Sequence, residues 1–109
     1  MQTVIHIYCT SGKSLREVIQ RDHRRLETHL LQIAKAHKPG RAPGWLKLHS
    51  TEADRRGALN IQWDAAGTVL QCRVVNRGAG KPHLIVGDFV EYVLGRFRKR
   101  VRAITILPG

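Results

Sequence analysis

Cys9-Thr10-Ser11-Gly12-Lys13-Ser14 follows the first apolar run of the chain and has the order of a phosphate grip: a strand, then Gly-Lys-Ser, then the start of a helix. In a phosphate-binding loop the backbone N–H groups of a glycine-rich turn curl around the phosphates, and the lysine meets their charge. That curl needs an earlier glycine, and its position here falls on Ile7, inside the strand. The loop cannot wrap a triphosphate, so nucleotide hydrolysis is not expected. Lys13 and the helix start behind it can still hold one phosphate. A phosphatase loop is excluded as well, because Cys9 and Arg16 stand one residue too far apart.

Metal and acid–base chemistry have less footing. Of the six histidines, His6 reads as a strand residue, His23, His29 and His37 as helical, and His49 and His83 lie elsewhere. None pairs at zinc-ligand spacing beside a carboxylate, and Cys9 and Cys72 are 63 residues apart, so neither a metal nor a cofactor is expected. Asp22 with His6 is the sole carboxylate–histidine couple to consider for general acid–base work, and nothing in the sequence brings them together. No catalytic residue is nominated; the chain reads as a non-enzyme with no small-molecule substrate. Two cysteines are too few for a disulfide framework and fit buried, reduced thiols in a cytoplasmic protein. Met1 to Cys9 lacks the charged lead of a secretory signal, and no run reaches the roughly 18 apolar residues of a membrane span.

Charge is the unusual quantity. Nineteen Lys and Arg face eight Asp and Glu, for a net charge of +11, and 13 of the 19 cations are Arg. Such an excess repels itself in the folded state and usually serves a polyanion; the planar guanidinium fork suits phosphate oxygens. The densest group is Arg96, Arg98, Lys99, Arg100 and Arg102, and no acid follows Glu91. Complementing a helix dipole explains one or two of these charges but not five. Arg21, Arg24 and Arg25 join the candidate set from the first helix, with Lys13 and Lys81 at the helix starts. For the first-helix charges a solvated face is an even alternative, supported by pairs such as Glu17 with Arg21 and Asp22 with Arg25. The expected partner is structured RNA.

The elements that must position these residues follow from periodicity. Val4 to Cys9 alternates as a strand. Ser14 and Glu17 form a capping box, and Leu15, Val18, Ile19, Leu26, Leu30 and Ile33 make one apolar stripe on a helix of about six turns, stopped by Pro39 and Gly40. Trp45 to His49, Leu59 to Trp63 and Thr68 to Val75 read as three further strands. Trp63 shares a face with Leu59 and Ile61 and is assigned to the core; Trp45 is left open as a base-stacking residue. Lys38 to Gly44, Ser50 to Arg56 and Gly78 to Lys81 read as loops. Pro82 opens a second helix with Val86, Phe89, Val90, Val93, Leu94, Phe97 and Val101 on its apolar side, ending in the cationic cluster. Ala103 to Leu107 is β-prone and reads as a short fifth strand or an extended tail. The expected fold is one α+β domain over residues 1–109, of order β-α-β-β-β-α, with two helices packed on one face of a four-stranded mixed sheet.

The run Ser14-Leu15-Arg16-Glu17-Val18-Ile19, followed by Arg25-Leu26-Glu27 and His29-Leu30, resembles the first helix of the ribosome hibernation-promoting factor and ribosome-associated inhibitor family, also catalogued as sigma-54 modulation proteins. The resemblance extends in element order and in the basic second helix over roughly residues 2 to 101. It implies a non-enzymatic, stress-related translation regulator that contacts ribosomal RNA of the small subunit through its basic helices. Two other readings compete. The second is a general structured-RNA or DNA binding module; a double-stranded-RNA-binding domain shares the α-β-β-β-α order, with Gly80-Lys81 entering its last helix, but it would carry its charge at the start of that helix. A small enzyme or an interaction adaptor is the third.

Overall fold

A computed structural model describes residues 2–36, 46–76 and 81–108 of the chain. Strand β1 (Gln2–Cys9) leads through a turn into α1 (Leu15–Arg21) and α2 (His23–Thr28). Four strands follow, β2 (Leu31–Ala36), β3 (Leu46–Ser50), β4 (Gly57–Asp64) and β5 (Val69–Asn76). Helix α3 (Pro82–Phe97) then passes through a 3-10 turn (Arg98–Arg100) into β6 (Val101–Leu107). Trp45 and the loops expected at 38–44 and 78–80 lie outside the described residues.

The strands form one six-stranded sheet in the order β2-β3-β4-β5-β1-β6, with every neighbouring pair antiparallel. This corrects the expected four-stranded mixed sheet with two helices: among the described residues there are six strands and three α-helices, and none of the strand pairs is parallel. Two differences produce the change. The first helix does not run on to Pro39. Asp22 takes φ −95°, ψ 29° and divides it, and Leu30, at φ 64°, turns the chain back after α2. Leu31 onward then alternates buried and exposed as a strand. Leu26, Leu30 and Ile33 fit helical spacing, while Leu31 and Ile33 fit strand alternation, so Ile33 serves both patterns and the helical stripe reads as continuous. The second correction lies at the other end: α3 stops at Phe97, so Val101 and Arg102 belong to β6, a sixth strand that pairs with β1.

Alternation sorts the sheet into two faces. On one, Ile5, Ile7, Cys9, Leu46, Leu48, Leu59, Ile61, Leu70, Cys72 and Val74 are buried in a single cluster with Leu15 and Ile19 of α1, Leu26 of α2, and Ile85, Phe89, Tyr92, Val93 and Phe97 of α3. Trp63 is partly buried against this cluster. Both cysteines are free thiols within it, and burial pushes both up from the usual thiol range. Neither is a ready nucleophile.

Local chemistry fixes the turns. Ser14 Oγ accepts from the Glu17 N–H at 3.3 Å, capping α1. In the β4–β5 hairpin, Asp64 Oδ1 accepts from the N–H groups of Ala66 (3.1 Å) and Gly67 (3.3 Å). A Cβ on Gly67 would meet the same carboxylate at 3.1 Å, so a larger residue there would have to push the capping Asp64 aside by a few tenths of an ångström. Among the described residues, no helix is long and apolar enough to cross a membrane.

Gly87 lies inside α3 on its exposed side, and a Cβ there would meet nothing within 4 Å. Gly87→Ala should raise unfolding stability by about 0.5–1 kcal/mol, since it removes glycine's excess freedom from the unfolded chain without a clash. Urea denaturation of the two proteins measures this, and a destabilised variant would show that the helix needs glycine at that point.

Candidate nucleic-acid interface

The basic end of the molecule is built around Asp22. Its backbone ends α1 and starts α2, and its carboxylate is drawn out of the helix line towards α3. Oδ2 accepts from the Tyr92 hydroxyl at 2.9 Å and from Arg96 Nε at 3.2 Å, and Arg96 Nη2 reaches Oδ1 at 3.5 Å. Tyr92 is fully buried and meets Phe97 and His29 edge to face, each at 5.6 Å between ring centroids. Burial, then the bond to Asp22 and its negative charge, push the Tyr92 phenol up. The hydroxyl therefore stays protonated and donates. Hydrogen bonds to a charged acceptor are the strong kind, so this knot holds the α1–α2 corner against the last turns of α3.

A second set of contacts joins the end of α3 to the loop after β1. The Thr10 N–H donates to the Arg100 carbonyl at 2.8 Å, Thr10 Oγ1 reaches the Lys99 carbonyl at 3.5 Å, and Arg100 Nη2 donates to the Lys13 carbonyl. Lys13, Arg98, Lys99 and Arg100 are thus gathered into one place. A shallow hollow of about 310 Å³ opens beside Gly95 to Arg100. Lys13, Arg98 and Lys99 are exposed, and Arg100 is half-buried. No ion pair engages any of these four among the described residues.

The remaining sequence candidates are placed differently. Arg21 closes α1, and Arg24 and Arg25 lie on α2; all three are exposed and flank Asp22 along the chain. Arg96 is half neutralised, because it pairs with Asp22, the acid the sequence suggested for Arg25. Arg102 is exposed on β6 rather than on the helix. Lys81 stands before the first turn of α3, about 24 Å along the axis from the cluster. It is bound to Asp54 at 3.2 Å, and that hydrogen bond holds the Asp54 carboxyl below its usual value. Glu17 pairs with Arg16 at 2.7 Å, not with Arg21.

Sequence reasoning missed three features. Arg16 is 2% exposed and is held by Glu17 and by Gln20 Oε1 at 3.1 Å; an arginine reads as surface, and no periodicity reveals otherwise. Arg55 of the β3–β4 loop is ion-paired to Asp88 on α3, and its buried Nε has no partner among the described residues. The sheet face turned away from the helices carries its own row of polar side chains. No group of three or more His, Cys, Asp or Glu residues is arranged to hold a metal among the described residues. No family model matches the chain, and no curated protein or solved structure matches it.

Removing only the phenolic donor should show what the Asp22 knot contributes. Tyr92→Phe should cost about 1–3 kcal/mol of stability, the range for a hydrogen bond to a charged group, and leave the helical circular dichroism unchanged. A loss within error of zero would mean that Arg96 alone holds Asp22.

Proposed function

We propose that this chain binds the phosphates of structured RNA without covalent chemistry, and that Lys13, Arg98, Lys99 and Arg100 form the centre of the contact. The observation that carries this reading is the joining of two sequence-distant basic segments by the Thr10–Arg100 and Lys13–Arg100 bonds, with no carboxylate paired to any of the four cations among the described residues. Like charges gathered this way raise the local potential, and a phosphate backbone relieves it by releasing its counterions. Arg21, Arg24 and Arg25 extend the basic surface past Asp22. The net charge of +11 supplies the longer-range attraction. The narrower proposal, which follows from the resemblance in the first helix, is that the RNA is that of the small ribosomal subunit and that binding regulates translation. A double-stranded-RNA-binding mode is less well supported, because Lys81 at the start of α3 is already engaged by Asp54.

Affinity for a structured RNA should fall by orders of magnitude over a few-fold rise in salt. Arg98→Ala with Lys99→Ala should reduce the slope of log affinity against log salt by about two contacts. Both side chains are exposed, so the fold should survive with no more than about 0.5 kcal/mol lost at each. Sucrose-gradient co-sedimentation with small subunits tests the narrower proposal in parallel. A flat salt dependence, or a folded double variant that binds as the parent does, would remove the cluster from the interface.

A further inference from the structure

The sheet face opposite the helices has no element over it among the described residues, and its side chains follow a pattern. Register places Gln62 beside Gln71, Gln71 beside His6, and His6 beside Thr105, in one row across β4, β5, β1 and β6. The next row runs Lys47, Asn60, Arg73, Val4. Between these rows is a hollow of about 160 Å³ walled by Val4, His6, Gln62, Gln71 and Arg73. It is on the scale of a single aromatic heterocycle.

Three features of this hollow select its ligand. Gln62 Nε2 donates to Gln71 Oε1 at 2.8 Å. That bond leaves the other carboxamide oxygen and the remaining amide N–H groups of the pair with no further hydrogen bond among the described residues, and exchanging the two amides end for end again leaves one oxygen beside free N–H donors on the same two residues. An adjacent donor and acceptor complement the Watson–Crick edge of a nucleobase. In a duplex that edge is already used, so the pair addresses an unpaired base. The His6 ring stands at the wall and is braced by Tyr8, edge to face at 6.2 Å and 85°, which leaves an aromatic surface for stacking. Charge supplies the third feature. Arg73 borders the hollow, Lys47 stands two strands away in the same row, and the one acid in any described strand, Asp64, has its Oδ1 committed to the hairpin turn.

We infer that this hollow binds an unpaired nucleobase of single-stranded RNA, stacked on His6 and held at its edge by Gln62 and Gln71, with Lys47 and Arg73 near the flanking phosphates. The inference rests on the RNA-binding reading above and adds a second surface to it, on the far side of the sheet from the α-helices. Phosphate contacts from the basic cluster hold any strand; the amide pair distinguishes an unpaired strand from a duplex.

Fluorescence anisotropy of the full chain with a short labelled oligouridylate, and with an RNA duplex of similar length, tests it. His6→Ala should weaken oligouridylate binding roughly fivefold to a hundredfold, the range for loss of one stacking partner, and leave duplex affinity unchanged. His6→Phe should keep most of the affinity because it keeps a ring. Gln62→Leu with Gln71→Leu preserves side-chain volume and should also weaken the single strand alone. It serves as the independent variant if His6→Ala disturbs the sheet. If the parent binds both RNAs and these variants alter neither, or alter both equally, the hollow is not a base site although the phosphate reading stands. If the parent binds neither RNA, the phosphate reading falls and this inference with it.

Discussion

The backbone of β1 is hydrogen-bonded on both edges, to β5 and to β6, and this double pairing determines where the functional side chains lie. Its alternation sends Ile5, Ile7 and Cys9 into the core and turns Val4, His6 and Tyr8 to the open face. Because β6 must come alongside β1, α3 has to end while the chain still has length to reverse. It does so at Phe97, whose side chain is nearly buried. The reversal uses Arg98 to Arg100, and the bond from Thr10 to Arg100 continues the β1–β6 pairing one step past the strand end. The basic cluster is therefore a turn held by a sheet, not a frayed helix end. Its position is as rigid as the pairing that makes it.

Asp22 plays the corresponding part for the helices. Three of its contacts cross from the α1–α2 corner to α3, and the charges beside it in sequence are otherwise positive. Placing one carboxylate there removes some of the repulsion that Arg21, Arg24, Arg25 and Arg96 would exert on one another. Arg96 is the residue whose charge Asp22 compensates, which leaves the exposed cations of the 3-10 turn to act outward.

Patterns carried by neighbouring residues were readable from the sequence; patterns that depend on register were not. β1, β4 and β5 announce themselves by alternation, Ser14 by its capping geometry, and the start of α3 by Pro82 and its apolar spacing. The end of the first helical stretch is hidden because Leu26, Leu30 and Ile33 keep helical spacing while Leu31 and Ile33 alternate as a strand, and the left-handed Leu30 separates the two patterns. A leucine there gives no warning, as a glycine would. Val101 likewise fits the helical stripe because it stands four residues after Phe97, although its β-branch suits the strand it joins. For the site, the identities of Lys13, Arg98, Lys99 and Arg100 were readable as charge. Their meeting was not, since it runs through backbone carbonyls that have no sequence signal. The partners of Asp22, Tyr92 and Arg96, lie 70 and 74 residues away, beyond the reach of any local rule. The Gln62–Gln71 pair is of the same kind: each residue reads as an outward polar position, and only strand register makes them neighbours.

The outer edge of β6 bounds the sheet, and two of its side chains, Ile106 at 44% exposure and Leu107 at 58%, are among the large apolar groups left in water. Among the described residues no strand lies beside that edge, and an unpaired edge of this composition invites the backbone of another copy. At low ionic strength the excess of cations keeps copies apart, so electrostatic repulsion acts as the guard that a lysine or proline on the edge would otherwise provide. That guard weakens with screening, as the Debye length shrinks from about 10 Å at 0.1 M salt to about 3 Å at 1 M. A polyanion removes it more thoroughly, because it cancels the charge and at the same time concentrates several copies along one strand.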